Sequence, residues 1–132
     1  MDVKFTDNSR EVLGKFREAT ERALEKCGIT AEGYAVRLVP VDTGNLRNSI
    51  THKVDDSEPA AYIGTNNEYA AYVELGTGEY YPGGRKDPWV YQDAHGNWHM
   101  THGQRARPFL KPAVADHGNQ YRSIIESEME NA

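Results

Sequence analysis

The chain has 132 residues, 38% of them hydrophobic, with a mean hydropathy of −0.77 and a formal charge of −5. That is the length of one ordinary domain, and with 15 Lys/Arg against 20 Asp/Glu it has no surplus of cations for a general nucleic-acid binder, whose phosphate contacts need Lys and Arg gathered on one face. Nowhere do about 18 apolar residues stand together, and no basic stretch followed by an apolar run opens the chain, so the sequence predicts neither a membrane span nor a signal peptide, and folding in a cytoplasm. The polar composition also hints that part of the stabilising burial comes from neighbouring subunits.

The first predicted element is a helix over about 8–39. Val12, Leu13, Phe16, Ala19, Thr20, Ala23, Leu24 and Cys27 recur at steps of three and four, and Glu11/Lys15 and Glu18/Arg22 pair on the wet face. Asn8 with Glu11 reads as a capping box. Gly28 and Gly33 each cost about 1 kcal/mol against Ala in a helix interior, which predicts a bend or break near Gly28. Pro40 ends the helix. Cys27 lies on the apolar stripe and, as the single cysteine, excludes an internal disulfide; it reads as a small core side chain without chemistry.

A first block, Pro40-Val41-Asp42-Thr43-Gly44-Asn45-Leu46-Arg47-Asn48-Ser49-Ile50, forms a turn followed by a strand over about 46–54. Ala60–Gly64 makes a second strand, and Asp55-Asp56-Ser57-Glu58-Pro59 joins the two as a hairpin. A second block, Tyr69-Ala70-Ala71-Tyr72-Val73-Glu74-Leu75-Gly76-Thr77-Gly78, suits either a short helix or a strand over 68–75, the helix being preferred, and its glycines close it either way. Residues 79–88 are a loop. Trp89–Gln92 and Trp98–Thr101 form another hairpin with aromatic residues placed to pair across it, either a projecting contact arm or a cover for the core. A third block, Ala106-Arg107-Pro108-Phe109-Leu110-Lys111-Pro112-Ala113, opens a C-terminal helix over about 109–130, interrupted by Gly118. The resulting fold class is α+β: a long N-terminal and a C-terminal helix packed on a small, mostly antiparallel sheet over 40–107, all in one domain spanning 1–132.

Charge is unevenly spread. Residues 40–84 carry two Lys/Arg against seven Asp/Glu, residues 85–112 carry five against two, and the flanking segments are neutral and acidic. Acidic and basic faces of one subunit meeting head to tail in an assembly is the sharper reading of that pattern.

No reaction class is supported. His95, His99 and His102 with Asp93 are metal-ligand types, but residues three apart on a strand point to opposite faces, so His99 and His102 do not converge without a bend. Thr43 and Ser49 lack a placed activating base and read as turn hydrogen-bonders. Glu74, in an apolar block, is expected to pair with Arg47 or Arg107. Neither Gly76-Thr77-Gly78 nor Pro82-Gly83-Gly84-Arg85-Lys86 makes a phosphate loop.

Taken together with Ile63-Gly64-Thr65-Asn66, the three blocks in their order resemble the minor tail-component family of long-tailed bacteriophages and prophages, whose members act in tail completion and head-tail joining. The resemblance covers nearly the whole chain. It implies a non-enzymatic structural subunit of the virion neck or tail, without cofactor or metal, in the host cytoplasm before assembly. Its implied partners are copies of itself in a ring, a hexamer being one candidate, and head-closure or connector and tail-tube or tail-terminator proteins, with no membrane and no sequence-specific nucleic acid. Thr43, Gly44, Leu46, Arg47, Ser49, Tyr69, Tyr72, Glu74, Gly76, Thr77, Pro108, Phe109, Leu110 and Ala113 are carried over as shape-determining and interface positions. Arg85, Lys86, Trp89 and Trp98 are added as an expected interface. The competing readings are a metal-dependent hydrolase built on His95, His99 and His102, and a non-viral interaction domain.

Overall fold

The computed structural model describes residues 3–41, 44–55 and 57–132. Asp42 and Thr43 of the first block and Asp56 of the hairpin turn therefore lie outside the described residues. Among the described residues the chain forms α1 (Ser9–Leu38), α2 (Asn45–Ser49), β1 (Thr51–Asp55), β2 (Ala60–Gly64), α3 (Ala70–Leu75), a 3-10 turn (Gly78–Tyr80), β3 (Trp89–Gln92), β4 (Trp98–Thr101), α4 (Leu110–Ala115) and α5 (Gly118–Glu130). The class is α+β, as expected. The strands, however, form two separate antiparallel hairpins, β1–β2 and β3–β4, and not one sheet.

Helix α1 is the frame. Its buried positions Ala19, Ala23, Cys27, Ala31 and Ala35, and then Val39, recur every four residues, and all but the last are small. A four-residue step overshoots one helical turn by about 40°, so this seam winds around the helix. Successive stretches of one straight element thereby face different partners. Near Thr20–Tyr34 the seam meets α5 running antiparallel, with Thr20 beside Met129, Arg22 and Lys26 on Glu128, the Cys27 thiol 3.7 Å from the Tyr121 carbonyl, and Tyr34 stacked on His117 at 3.5 Å. The Lys26 and then the Arg22 hydrogen bonds hold the Glu128 carboxyl below its usual range. Towards its C-terminal end the seam meets the core proper: Ala35, Val39, Ile50, Ala70, Phe109 and Ala113. Phe109 is completely buried at the centre.

Several expectations change. The stripe begins to be buried only at Ala19; Val12, Leu13 and Phe16 stay exposed because α5 ends before it can cover them. The capping box does not form, since Asn8 makes no side-chain cap; instead Asp7 Oδ1 accepts from the Ser9 amide at 2.9 Å. Helix α1 runs unbroken through Gly28, which is not a hinge but a contact point. The His52 ring of β1 lies so close that a Cβ on Gly28 would sit 2.8 Å from its Cδ2. The strand expected from Leu46 starts at Thr51, because Asn45–Ser49 closes a helical turn. The Asn48 amide reaches the Gly44 carbonyl at 2.9 Å, and the Ser49 hydroxyl donates to the Leu46 carbonyl at 2.6 Å. The C-terminal helix is two helices, broken at Asp116–His117 just before Gly118, with the Tyr121 hydroxyl donating back to the Ala113 carbonyl across the break.

Two alanine substitutions on α1 test the contact at Gly28. At Gly14, where nothing lies within 4 Å, alanine is expected to raise stability by as much as about 1 kcal/mol through helix propensity alone. At Gly28 the same change is expected to lower it by about 1–3 kcal/mol, because the new methyl must displace the His52 ring. Urea denaturation of both variants reads the difference in sign; a stabilising Gly28→Ala would show that His52 does not seat there.

Candidate functional site

Blocks two and three meet through one carboxylate. Helix α3 carries Glu74 to the start of α4, where Oε2 accepts the amides of Phe109 at 2.7 Å and Leu110 at 3.0 Å, and Oε1 accepts that of Lys111 at 2.9 Å. These are the orphan donors of the first turn of α4, and no side chain of α4's own N-cap serves them. The expected partners Arg47 and Arg107 are thus replaced by backbone N–H groups. Arg107 takes part through its amide, which donates to the Val73 carbonyl at 2.8 Å.

The chain between blocks is pinned alongside. Thr77 and Glu79 amides donate to the Gln104 and His102 carbonyls at 2.9 and 3.0 Å, and the Gln104 amide returns a bond to Thr77 Oγ1 at 2.8 Å. Gly78 and Gly103, both at positive φ, face each other here with no room for a Cβ on either. This backbone clasp forms the base from which the β3–β4 hairpin leaves.

The hairpin presents an uncovered face. Its register sets Val90 opposite Met100 and Gln92 opposite Trp98, so Val90, Met100 and Trp98 share one side, at 63%, 69% and 68% exposure. The other side holds Trp89 opposite Thr101 and Tyr91 opposite His99, the latter two rings 5.4 Å apart. The two tryptophans therefore do not pair with each other. Arg85 lies over the half-buried Trp89 ring at 5.6 Å and Arg105 over Tyr80 at 5.4 Å, while Lys86 is exposed. At the tip, Asp93 Oδ1 accepts the His95 and Asn97 amides, both at 2.9 Å, and Oδ2 meets His99 Nε2 at 2.7 Å. The His99 bond, then the turn amides, depress the Asp93 pKa. His99 is thus spent on closing the turn, and among the described residues no three His, Cys, Asp or Glu side chains are grouped to hold a metal ion.

The remaining carried-over positions divide between core and surface. Gly44, Gly76, Phe109 and Ala113 are buried, Leu46, Ser49, Thr77 and Leu110 half-buried, and Arg47, Tyr69, Tyr72 and Pro108 exposed. The Ser49 hydroxyl also bonds Thr65, whose Oγ1 receives the Asn67 amide at 3.0 Å; Asn67 Oδ1 in turn receives the Tyr69 amide at 2.8 Å, leading the chain into α3.

A clamp not anticipated from the sequence joins β1 to α1. His52 Nε2 meets Glu25 Oε1 at 2.5 Å and Nδ1 meets Glu32 Oε1 at 3.4 Å, with the ring lying on Gly28 between them. Glu25, Gly28 and Glu32 are spaced three and four apart, so they share one face of the helix, and that spacing was the available signal. The Glu25 hydrogen bond raises the imidazole pKa above its ordinary 6.5, against partial desolvation, with Glu32 adding in the same direction.

Residues 4–76 match the family described as "Bacteriophage HK97-gp10, putative tail-component". No curated protein and no solved structure is significantly similar to the chain. The matched segment runs from the start of α1 through α3 to Gly76, so the β3–β4 hairpin lies beyond it.

Replacing Glu74 with alanine strands three amides at the start of α4, two of them part-buried. The expected loss is about 1–3 kcal/mol, in the range for a removed cap and for charged hydrogen bonds, measured by urea denaturation. Glu74→Asp, one methylene too short, should not restore it. The His52 clamp predicts a pH dependence of definite sign. Because the folded-state pKa is raised, the clamp's contribution is complete below pH 6.5 and is lost as pH rises through the folded value. Melting temperature should therefore fall over that interval in the parent chain, and His52→Gln should flatten the slope; an unchanged slope would remove His52 as its source.

Proposed function

The chain belongs to the bacteriophage HK97-gp10 tail-component family, and from that premise we propose that it is a structural, non-catalytic ring subunit of the virion neck, acting in tail completion and head-tail joining. The observation that carries the reading is the β3–β4 arm: a two-stranded hairpin with three large apolar side chains uncovered on one face, whose strands pack chiefly on each other. Isolated two-stranded hairpins are marginal in water, so such an arm gains its full order against a partner. Arg85, Lys86, Trp89 and Trp98 are the contact residues of this reading, Trp98 as the apolar anchor and the two cations as steering charges. The other shape-determining positions, Glu74 and Phe109 foremost, hold the arm's base at a fixed angle to α1.

In the ring, the basic 85–112 segment of one copy faces the acidic 40–84 segment of the next, and the faces exposed above and below meet a head-closure or connector protein on one side and a tail-tube or tail-terminator protein on the other. Before assembly the subunit resides in the host cytoplasm. A heterologous contact of this kind, repeated by the same rotation from copy to copy, closes a ring.

Reversing both cations, Arg85→Glu with Lys86→Glu, should lower the yield of joined particles on the order of tenfold or more while leaving the melting temperature nearly unchanged, since exposed charges add little to monomer stability. High salt during assembly should mimic the reversal, because the Debye length is only about 8 Å at physiological ionic strength. Complementation of a phage lacking the gene, with free heads, free tails and joined particles counted separately, provides the readout. Undiminished joining by a folded double variant would exclude these charges from the assembly contact.

A further inference from the structure

The small side chains of the α1 seam leave a hole. Where Cys27, Gly28 and Ala31 face Ala61 of β2, no large side chain among the described residues fills the gap, and an apolar cleft of about 180 Å³ opens between α1, β2, α4 and α5, with Tyr62 and Tyr121 also in its lining. Leu24, Ile63, Val114 and Ile125 form its walls, and a shallower apolar groove continues from it past Leu110 along α4. An open apolar cleft of this kind forgoes the contacts that close packing would supply, and a rigid aromatic side chain is well suited to recover them.

We infer that this cleft is the acceptor for the β3–β4 arm of a second copy of the chain, with Trp98 seated in it and Met100 and Val90 lying along the groove; the inference rests on the ring-subunit reading above. Three observations select this occupant. Donor and acceptor occur once each on every copy and on different elements, which gives the one-to-one, head-to-tail contact that a closed ring needs. Size is complementary: the arm's uncovered face is made of large side chains, and the cleft floor of small ones. Charge is complementary too. The arm's root carries exposed Arg85, Lys86 and Arg105 against exposed Asp87, while the end of β1 and the turn before Ala61 carry half-buried Asp55 and exposed Glu58, in a segment with two cations against seven anions; Lys111 and Glu74 line the groove.

Cross-linking between two different variants tests the contact in the assembled particle. In a Cys27→Ala background, Met100→Cys (on the arm, with Trp98 kept) and Ile125→Cys (on the cleft wall) are co-expressed to complement a phage lacking the gene, and purified particles are treated with a short thiol-to-thiol cross-linker. A dimer band requiring both variants is expected; because each copy carries only one of the two cysteines, an arm folded onto its own cleft cannot produce it. Particles that contain both variants but give no dimer overturn the inference and leave the ring-subunit reading standing. A dimer from Met100→Cys alone also overturns it, since arms would then meet arms. Absence of the protein from particles that nonetheless join would overturn the ring-subunit reading itself. In parallel, Trp98→Ala should reduce joined particles at least tenfold with an unchanged melting temperature, and Trp98→Phe should retain most of the yield; full joining by Trp98→Ala removes Trp98 as the anchor.

Discussion

A single carboxylate lets two distant parts of the chain act as one rigid piece. Glu74 accepts all three leading amides of the α4 turn, and the first of those amides belongs to Phe109, the one fully buried large side chain among the described residues. Fixing the amide fixes the ring, so the cap at the surface and the anchor in the core are one device. The hydrogen bonds here are charge-assisted, with the negative end lying where the α4 dipole is positive, which makes them stronger than ordinary turn bonds. Because α3 and the Thr77–Gly78 segment lead directly into the clasp with His102–Gln104, the same junction also sets the direction in which the β3–β4 hairpin leaves the body.

Helix α1 answers a different constraint. A hairpin and two further helices have few ways to build a common core, and here the β1–β2 hairpin, α4 and α5 all dock on one long helix. The seam of small residues makes this possible twice over. Its winding brings a new sector to each partner, and its small side chains let His52 and the α5 backbone come close. The same small residues leave the cleft beside Ala61 unfilled. Close approach at one sector and a cavity at the next have one cause.

Local signals in the sequence reveal much of this, and the exceptions are physical. Periodicity reads α1 to within a residue at each end, and turn chemistry reads β2, β3, β4 and α3, because these elements are set by neighbours within a few positions. It misreads Gly28 as a break: helix propensity counts the penalty of glycine but not the ring that occupies the space a methyl would take. It assigns Leu46–Ser49 to a strand, because β-branched composition around Ile50 outweighs a one-turn helix that is closed by the Ser49 hydroxyl. It gives Glu74 an arginine partner, because the amides that actually bind it lie 35 to 37 residues away and carry no signature in side-chain identity. The arm's strands are readable, yet the bareness of one face is not: alternation places Val90, Trp98 and Met100 on one side without saying that all three stay largely exposed.

The division between body and arm gives the architecture its logic as an assembly unit. The matched family segment ends at Gly76, at the last residue before the clasp, so it contains the frame, the β1–β2 hairpin and the Glu74 cap but not the arm. That segment supplies an acidic body with an apolar cleft; the residues beyond Gly76 add a basic root, an aromatic hairpin and then the helix pair that completes the cleft wall with Val114 and Ile125. The later half of the chain thus finishes a site on its own body that its own arm does not occupy. In this structure the arm's bare face and the cleft both stay open, and because the two surfaces differ in shape, neither is complementary to itself. In the ring proposed above, each copy would offer one arm and one cleft to its neighbours, and a closed succession of copies would leave none over.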